Sequence, residues 1–362
     1  MRRGLAAVGL SVAAPLALAQ SDVTLYGLID VAVEHVTHVG APPHGLSRMP
    51  SATGSLPSRI GFRGSEDLGD GLRAIFVLEQ GFAPDQGTFN QGGRAFGRQS
   101  WIGFASRWGS LTIGRQFTML YWSILDADIL GTNVYGSGSL DAYIPNARID
   151  NAVAYRGTFS GLTLGATYSV GRDSVSGGNP AATGCPGESG NLKGCREWSS
   201  MAKFDGAAWG AALAVDEIRG GPGAFAGLTS GALKDTRVSV NGYAQLAALR
   251  LAAGLVRRDN GGSATTPRSD LWYLGALYAA TPLLQIDGEA FRLLFKGSDN
   301  RATLVAARAT YNLSRRTAIY ATLGHLANGG RLATSVSGGA PGSDPMPGAA
   351  QSGLAAGVRH SF

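Results

Sequence analysis

Along residues 22–34, Val23, Leu25, Ile29, Val31 and Val33 share one side of a two-residue alternation, and Thr24, Tyr26, Asp30 and Glu34 share the other. That period predicts a β-strand with one apolar and one polar face, long for a soluble sheet. The pattern returns over 57–66, 71–82, 94–105, 110–116, 149–157, 162–171, 197–205 and 209–219. It continues over 235–244, 248–258, 269–280, 283–295, 301–313, 317–327 and 353–362, about sixteen strands in all.

The connectors alternate too. Short turns at 67–70, 106–109, 160–161, 281–282 and 314–316 exchange with long Gly/Ser/Pro-rich loops at 35–56, 83–93, 117–148, 172–196, 220–234, 259–268 and 328–352. A soluble sandwich gives no reason for one trimmed and one decorated rim, whereas an outer-membrane barrel has tight turns on one side and long loops on the other. Strands of roughly 9–11 residues suit tilted bilayer crossing, and closure leaves no unpaired backbone in lipid. Past the N-terminal segment there is no run of 18 apolar residues, so helical spans are excluded. The expected fold is all-β, a 16-stranded antiparallel transmembrane barrel over residues 20–362.

One connector breaks the pattern. Residues 117–148 combine Met119, Leu120, Trp122, Ile124, Leu125, Ile129 and Leu130 with the acids Asp126 and Asp128, and a connection this long is uncommon in a compact domain unless it is functional. Its apolar surface predicts that this third long loop folds back into the barrel.

Composition narrows the setting. Arg2 and Arg3 precede an apolar run closing on Ala17-Leu18-Ala19, the pattern of a signal peptide over residues 1–19. Its removal leaves 343 of 362 residues and, with two arginines lost, lowers the formal charge from +6 to +4. Gly is abundant, at 54 residues, but the regular apolar content excludes disorder. Cys185 and Cys195 lie ten apart in a Gly-rich stretch; in an oxidising compartment a disulfide bracing a surface loop is favoured over free thiols or metal ligands.

Six segments carry a family resemblance: SDVTLYGLIDVAVEHV at the start of the mature chain, SRIGFRGSEDLGDGLRAIFVLEQGF at 58–82, GRAFGRQSWIGFASRWGSLTIGRQ at 93–116, RIDNAVAYR at 148–156, LSRRTAIYA at 313–321 and GVRHSF at 357–362. Together they resemble the general diffusion porins of β-proteobacterial outer membranes. The resemblance implies an outer-membrane homotrimer of barrels, each a water-filled pore narrowed by its third long loop, with a terminal Phe362 read by insertion machinery. One departure is the lack of a Pro-Glu-Phe-Gly-like turn between Phe117 and Arg148.

Strand parity points to the pore lining. Arg59 and Arg63 oppose Ile60 and Phe62; Arg148, Asp150 and Arg156 oppose Ile149, Val153 and Tyr155; Arg98 opposes Trp101. An arginine facing lipid at mid-depth costs ~2–4 kcal/mol, so these side chains are expected in the lumen. In the family, positions matching Arg59, Arg98 and Arg148 form a basic cluster facing the inward loop, where Asp126 and Asp128 would supply opposing acids. Such a pore would pass small hydrophilic solutes and prefer inorganic anions. Arg115 has the parity of Leu111 and Ile113, which conflicts with a lumen role unless the strand has already ended, and it is left open.

Enzyme motifs are weak. Ser200-Met201-Ala202-Lys203 and Ser298-Asp299-Asn300 mimic serine β-lactamase motifs, but the first lies in an alternating stretch and no Lys-Thr-Gly follows. His35 and His38 could hold a metal or simply form a polar rim. The arginines are dispersed rather than gathered in a patch with stacking aromatics, against nucleic acid as a partner; outer-membrane lipid is the expected surrounding. The reading is therefore a passive channel without cofactor or metal, the alternative a lipase-like barrel enzyme.

Overall fold

The computed structural model describes residues 21–52, 55–172, 184–185, 187, 191–265, 267–338 and 341–362; the expected signal peptide lies outside them. The first alternating stretch forms β1 (Ser21–Val39), onto whose end the short β2 (His44–Arg48) folds back. Then come β3 (Arg59–Gly69), β4 (Leu72–Ala83), the two-residue β5 (Thr88–Phe89), β6 (Gln99–Ser106), β7 (Gly109–Phe117), β8 (Arg148–Phe159) and β9 (Leu162–Ser169). The second half holds β10 (Glu197–Asp205), β11 (Trp209–Arg219), β12 (Lys234–Leu246), β13 (Leu249–Asn260), β14 (Arg268–Ala279), β15 (Leu284–Phe295), β16 (Arg301–Asn312), β17 (Thr317–Gly329) and β18 (Ala350–Ser361). Of these eighteen strands among the described residues, β2 and β5 are side hairpins; the other sixteen form the wall, each antiparallel to its neighbours. The wall closes where β18 pairs with β1, from Leu28↔Ser361 to Val36↔Gly353.

The seam is tight. Gly27 and Phe362 exchange both backbone hydrogen bonds at 3.1 Å, and a Cβ on Gly27 would meet the Phe362 ring at 2.6 Å, so only glycine fits there.

Alternation sorts most wall strands, β16 and β17 most clearly, into two faces. On β16, Ala302, Leu304, Ala306, Arg308 and Thr310 are buried, while Val305 and Tyr311 project from the opposite face. The exposed series on neighbouring strands is apolar, with Leu274, Val305, Leu323 and Leu354 among its members, which is the surface a barrel offers to lipid. Trp108, Phe159, Trp209, Tyr278, Tyr311 and Phe362 stand exposed near the short-turn ends, and Tyr168 and Trp198 face each other across β9 and β10 near the long-loop end. These are the two aromatic girdles of a membrane barrel.

Two details depart from the sequence reading. The strand expected from residue 94 starts at Gln99, so Arg94 and Arg98 sit in the connection before it. Opposite β8, the register of β7 shifts between Gly114 and Gln116, and Asn151 adopts φ 50°. This bulge re-aims side chains on both strands. Ile149, expected outward, is fully buried, and Arg115 escapes the parity of Leu111 and Ile113 to reach Asp150 (Nη1–Oδ1 2.6 Å).

Between β7 and β8 the chain forms no strand. It makes α1 (Met119–Ile124), α2 (Ser137–Leu140) and a 3-10 turn at Ile144–Asn146. Thr118 N–H donates to Ala147 O at 2.9 Å, drawing the two ends of this segment together.

Candidate functional site

The 118–147 segment is tied to one polar side chain after another around the wall. Met119 N–H donates to Ser199 Oγ on β10 (2.8 Å), and Tyr143 Oη donates to Glu197 Oε1 on β10 (2.8 Å) and also reaches Asp216 Oδ2 on β11 (3.1 Å). Arg237 on β12 pairs with Asp141 (Nε–Oδ2 2.8 Å). Leu130 N–H donates to Glu289 Oε2 on β15 (2.8 Å), Arg308 on β16 donates to Leu130 O (3.2 Å), and Tyr135 Oη donates to Glu34 Oε2 on β1 (3.2 Å). Leu120, Ile124, Leu130 and Ile144 are buried in the same core as Val256, Leu271, Phe291 and Leu304 of the wall. Hence these four apolar residues of the segment are withdrawn from water, and most of its buried polar atoms find partners on the wall.

The charges at these ties follow from burial. Burial pushes the Asp141 carboxyl up, but Arg237 and then Arg258 outweigh it, so Asp141 lies below the usual carboxylate range. Burial, then Asp216 and Glu197, push the Tyr143 hydroxyl well up, so it stays a donor. Asp128 is pushed up to about 6, chiefly by burial, against hydrogen bonds from Ser137 and Glu289. Its Oδ2 accepts from Ser137 Oγ at 2.5 Å, and Glu289 Oε2 accepts from Leu130. The remaining oxygens, Asp128 Oδ1 and Glu289 Oε1, are buried with no donor among the described residues, although the two carboxyls interact.

A cavity of about 680 Å³ lies between this segment and the wall. Its charged lining is Arg59, Arg98, Arg148, Arg308 and Arg359 against Glu79 and Asp128. Glu79 is shared by Arg98 (Nε–Oε1 2.7 Å) and Arg59 (Nε–Oε2 3.5 Å), and Arg308 pairs with Asp287 behind it (Nη2–Oδ2 2.9 Å). Arg148 stacks on Phe117 at 4.3 Å and donates to Asn146, while Arg359 donates to Ser55 Oγ at 2.5 Å; neither has a carboxylate within ion-pair distance among the described residues. With Asp287 counted, five guanidiniums face three acids, a surplus of two.

The expected site residues therefore separate. Arg59, Arg98, Arg148 and Asp128 meet at the cavity. Asp126 does not: it pairs with Lys203 and lies 3.9 Å from Arg250, because α1 and the turn after it carry it towards β10 and β13. Arg63 lies over the Tyr26 ring at 5.4 Å, Asp150 is held by Arg94 (3.0 Å) and Arg115, and Arg156 stacks on Trp122 at 4.2 Å. None of those three lines the cavity. Arg98 reaches it from the connection before β6 rather than by parity, and Trp101, taken as its opposite, donates Nε1 to Gln99 Oε1 at 3.1 Å on the same side.

Glu79, Arg308 and Arg359 were missed. Parity would have found two of them, since Arg308 opposes Val305 and Tyr311 and Arg359 opposes Leu354 and Val358; Glu79 shares its parity with apolar Ile75 and Val77 on a strand that does not alternate. Cys185 and Cys195 form a disulfide, close to Gly221 of the next long loop. His35 Nδ1 meets Ser47 Oγ and His38 Nδ1 meets Thr37 Oγ1. Ser200 and Lys203 lie three apart on β10 and so on opposite faces, which separates the two groups a serine–lysine site must join.

A sequence profile of the Gram-negative porins matches residues 4–331. Outer membrane porin protein 32 of Delftia acidovorans is 27% identical over 382 aligned positions, covering 100% of both chains. An outer membrane porin protein of Bordetella pertussis is 37% identical over 180 residues, 46% of this chain and 47% of that protein, so the chain spans about half of that relative's length. The solved anion-selective porin from Comamonas acidovorans shares the fold at a TM-score of 0.74 and 21% identity, covering 95% of this chain and 100% of that one. A profile match over most of the length and a closed sixteen-strand wall with a lipid-type exterior agree: this chain belongs to the Gram-negative porins and is a protein of the outer membrane.

Proposed function

We propose that this porin is a water-filled channel for passive diffusion of small hydrophilic solutes, preferring anions, with the 118–147 segment lying across the lumen as its constriction. The observation that carries the reading is the lining of the large cavity, where Arg148 and Arg359 lack acid partners among the described residues and guanidiniums outnumber acids. A unit charge ~8 Å from an ion in water is worth about 0.5 kcal/mol, about twofold in occupancy, and in a gap this narrow every ion passes within a Debye length of the wall. The solved anion-selective porin of the same fold agrees in sign. The mature protein assembles as a homotrimer after loss of residues 1–19, and the long-loop rim faces the cell exterior. Reconstitution into a planar bilayer tests the channel: stepwise conductance is expected, and lipid hydrolysis without conductance would favour a barrel enzyme.

A further inference from the structure

The segment bordering the large cavity turns an apolar face towards it. Leu125, the residue after α1, keeps helical angles (φ -55°, ψ -28°), so Tyr121 and Leu125 stand one turn apart on the same side. Both line the cavity, with Trp122 beside them and Ile129 following. Leu120 and Ile124, on the adjoining side, are buried in the core shared with the wall. Leu125 is 39% exposed and Tyr121 is half-buried, so this face is not consumed by packing.

Neither acid beside it breaks that face. Asp126 pairs with Lys203 away from the cavity, and Asp128, although it lines the cavity, is 4% exposed with Oδ2 taken by Ser137. The ring of Tyr121 is held in place by Phe117, whose centroid lies 3.9 Å away with the planes 13° apart. Arg148 covers Phe117 at 4.3 Å, and Trp122 meets Tyr121 edge-on at 5.7 Å. The apolar face is therefore fixed in position before any solute arrives.

On the wall side of the cavity the guanidiniums are not equally accessible. Arg98 and Arg148 are 4% and 3% exposed, whereas Arg59 keeps 24% of its side chain exposed and Arg359 is half-buried. These two come from β3 and β18, which flank β1 at Leu28↔Arg59 and Asp30↔Arg359, so they share one face two residues apart in register. One side of the gap is thus cationic and the other apolar. Hydrated chloride uses only the first, and an exposed leucine against it gains nothing; a solute with an apolar body uses both. At about 680 Å³ the cavity falls within the roughly 300–1,000 Å³ of small-molecule sites, which combine apolar walls with a few placed charges.

We infer that, among anions, the cavity selects small carboxylates with an apolar body, the carboxylate meeting Arg59 and Arg359 while the body lies on Tyr121 and Leu125. The inference rests on the reading of this cavity as the anion-preferring constriction of a channel. It adds the face of the segment that a count of charges leaves out.

The test is the reversal potential of the full-length porin in a planar bilayer at neutral pH, with KCl on one side and potassium benzoate or potassium gluconate on the other. Both organic anions carry one carboxylate, benzoate on a bare ring and gluconate on a hydroxylated chain. Benzoate should be about tenfold more permeant than gluconate, the ratio that roughly 55 Å² of apolar contact gives. Tyr121→Ser with Leu125→Ser should return the two anions to their ratio in free solution while the preference for chloride over potassium stays. Tyr121→Phe with Leu125→Met should keep the advantage of benzoate, and stepwise conductance shows that each variant has folded. An unmodified porin that prefers chloride to potassium but passes benzoate and gluconate alike overturns this inference and leaves the anion-preferring channel standing. A preference for potassium overturns both. A serine variant that keeps the advantage of benzoate, or loses it together with the chloride preference, overturns the inference alone, as does loss of the advantage in the Phe and Met variant.

Discussion

At the scale of single residues, Asp128 has the most readable chemistry. Burial holds its carboxyl up at about 6, so below that pH it is protonated and above it the cavity lining gains a negative charge. The sign follows: anion preference should fall as pH rises from about 5 to 7.5, and Asp128→Asn should remove that step in reversal-potential measurements. Stability moves the same way. A carboxyl whose folded value is raised adds no cost below the ordinary carboxylate range, and its cost grows as pH climbs through about 6. Asp126 supplies the contrast. Being paired with Lys203 away from the cavity, Asp126→Asn should leave ion preference unchanged, whereas Glu79→Gln, which frees Arg59 and Arg98, should raise anion preference about twofold.

The 118–147 segment is the element on which the pore reading turns, and its hold on the wall depends on a few buried polar ties. Tyr143 is one of them, a single hydroxyl placed between Glu197 and Asp216. Tyr143→Phe removes one donor from two buried acids, Glu197 keeping Arg172 as its partner, and should cost about 1–3 kcal/mol, seen as a lower thermal midpoint or as noisier open-channel current. Unchanged stability and unchanged noise would mean that the tie is idle. The strands themselves were legible because period-two patterning is local: 197–205 and 209–219 were read with the bounds they have. The segment was legible only as a break in that pattern. Its path was not, because Asp126 and Asp128 are separated by one residue yet turn to different walls, a choice made by α1 and the turn that follows it. Arg115 shows the other limit, since a bulge reverses parity and the one hint of it in 110–116 is Gly114, whose φ is 126°.

For the whole molecule, the wall presents an apolar exterior, and the proposed channel rests on the arginine surplus at the cavity behind it. In the proposed pore the field at the cavity belongs to no single residue. Five guanidiniums share it with Glu79, Asp128 and Asp287, so its effect should fade as added salt screens it. Reversal potential in a KCl gradient across a planar bilayer tests this account most directly. At low salt the unmodified porin should prefer chloride, and Arg148→Ala with Arg359→Ala should move the preference several-fold towards potassium while conductance persists. A preference for potassium in the unmodified pore, or a double variant that leaves the reversal potential where it was, would contradict it.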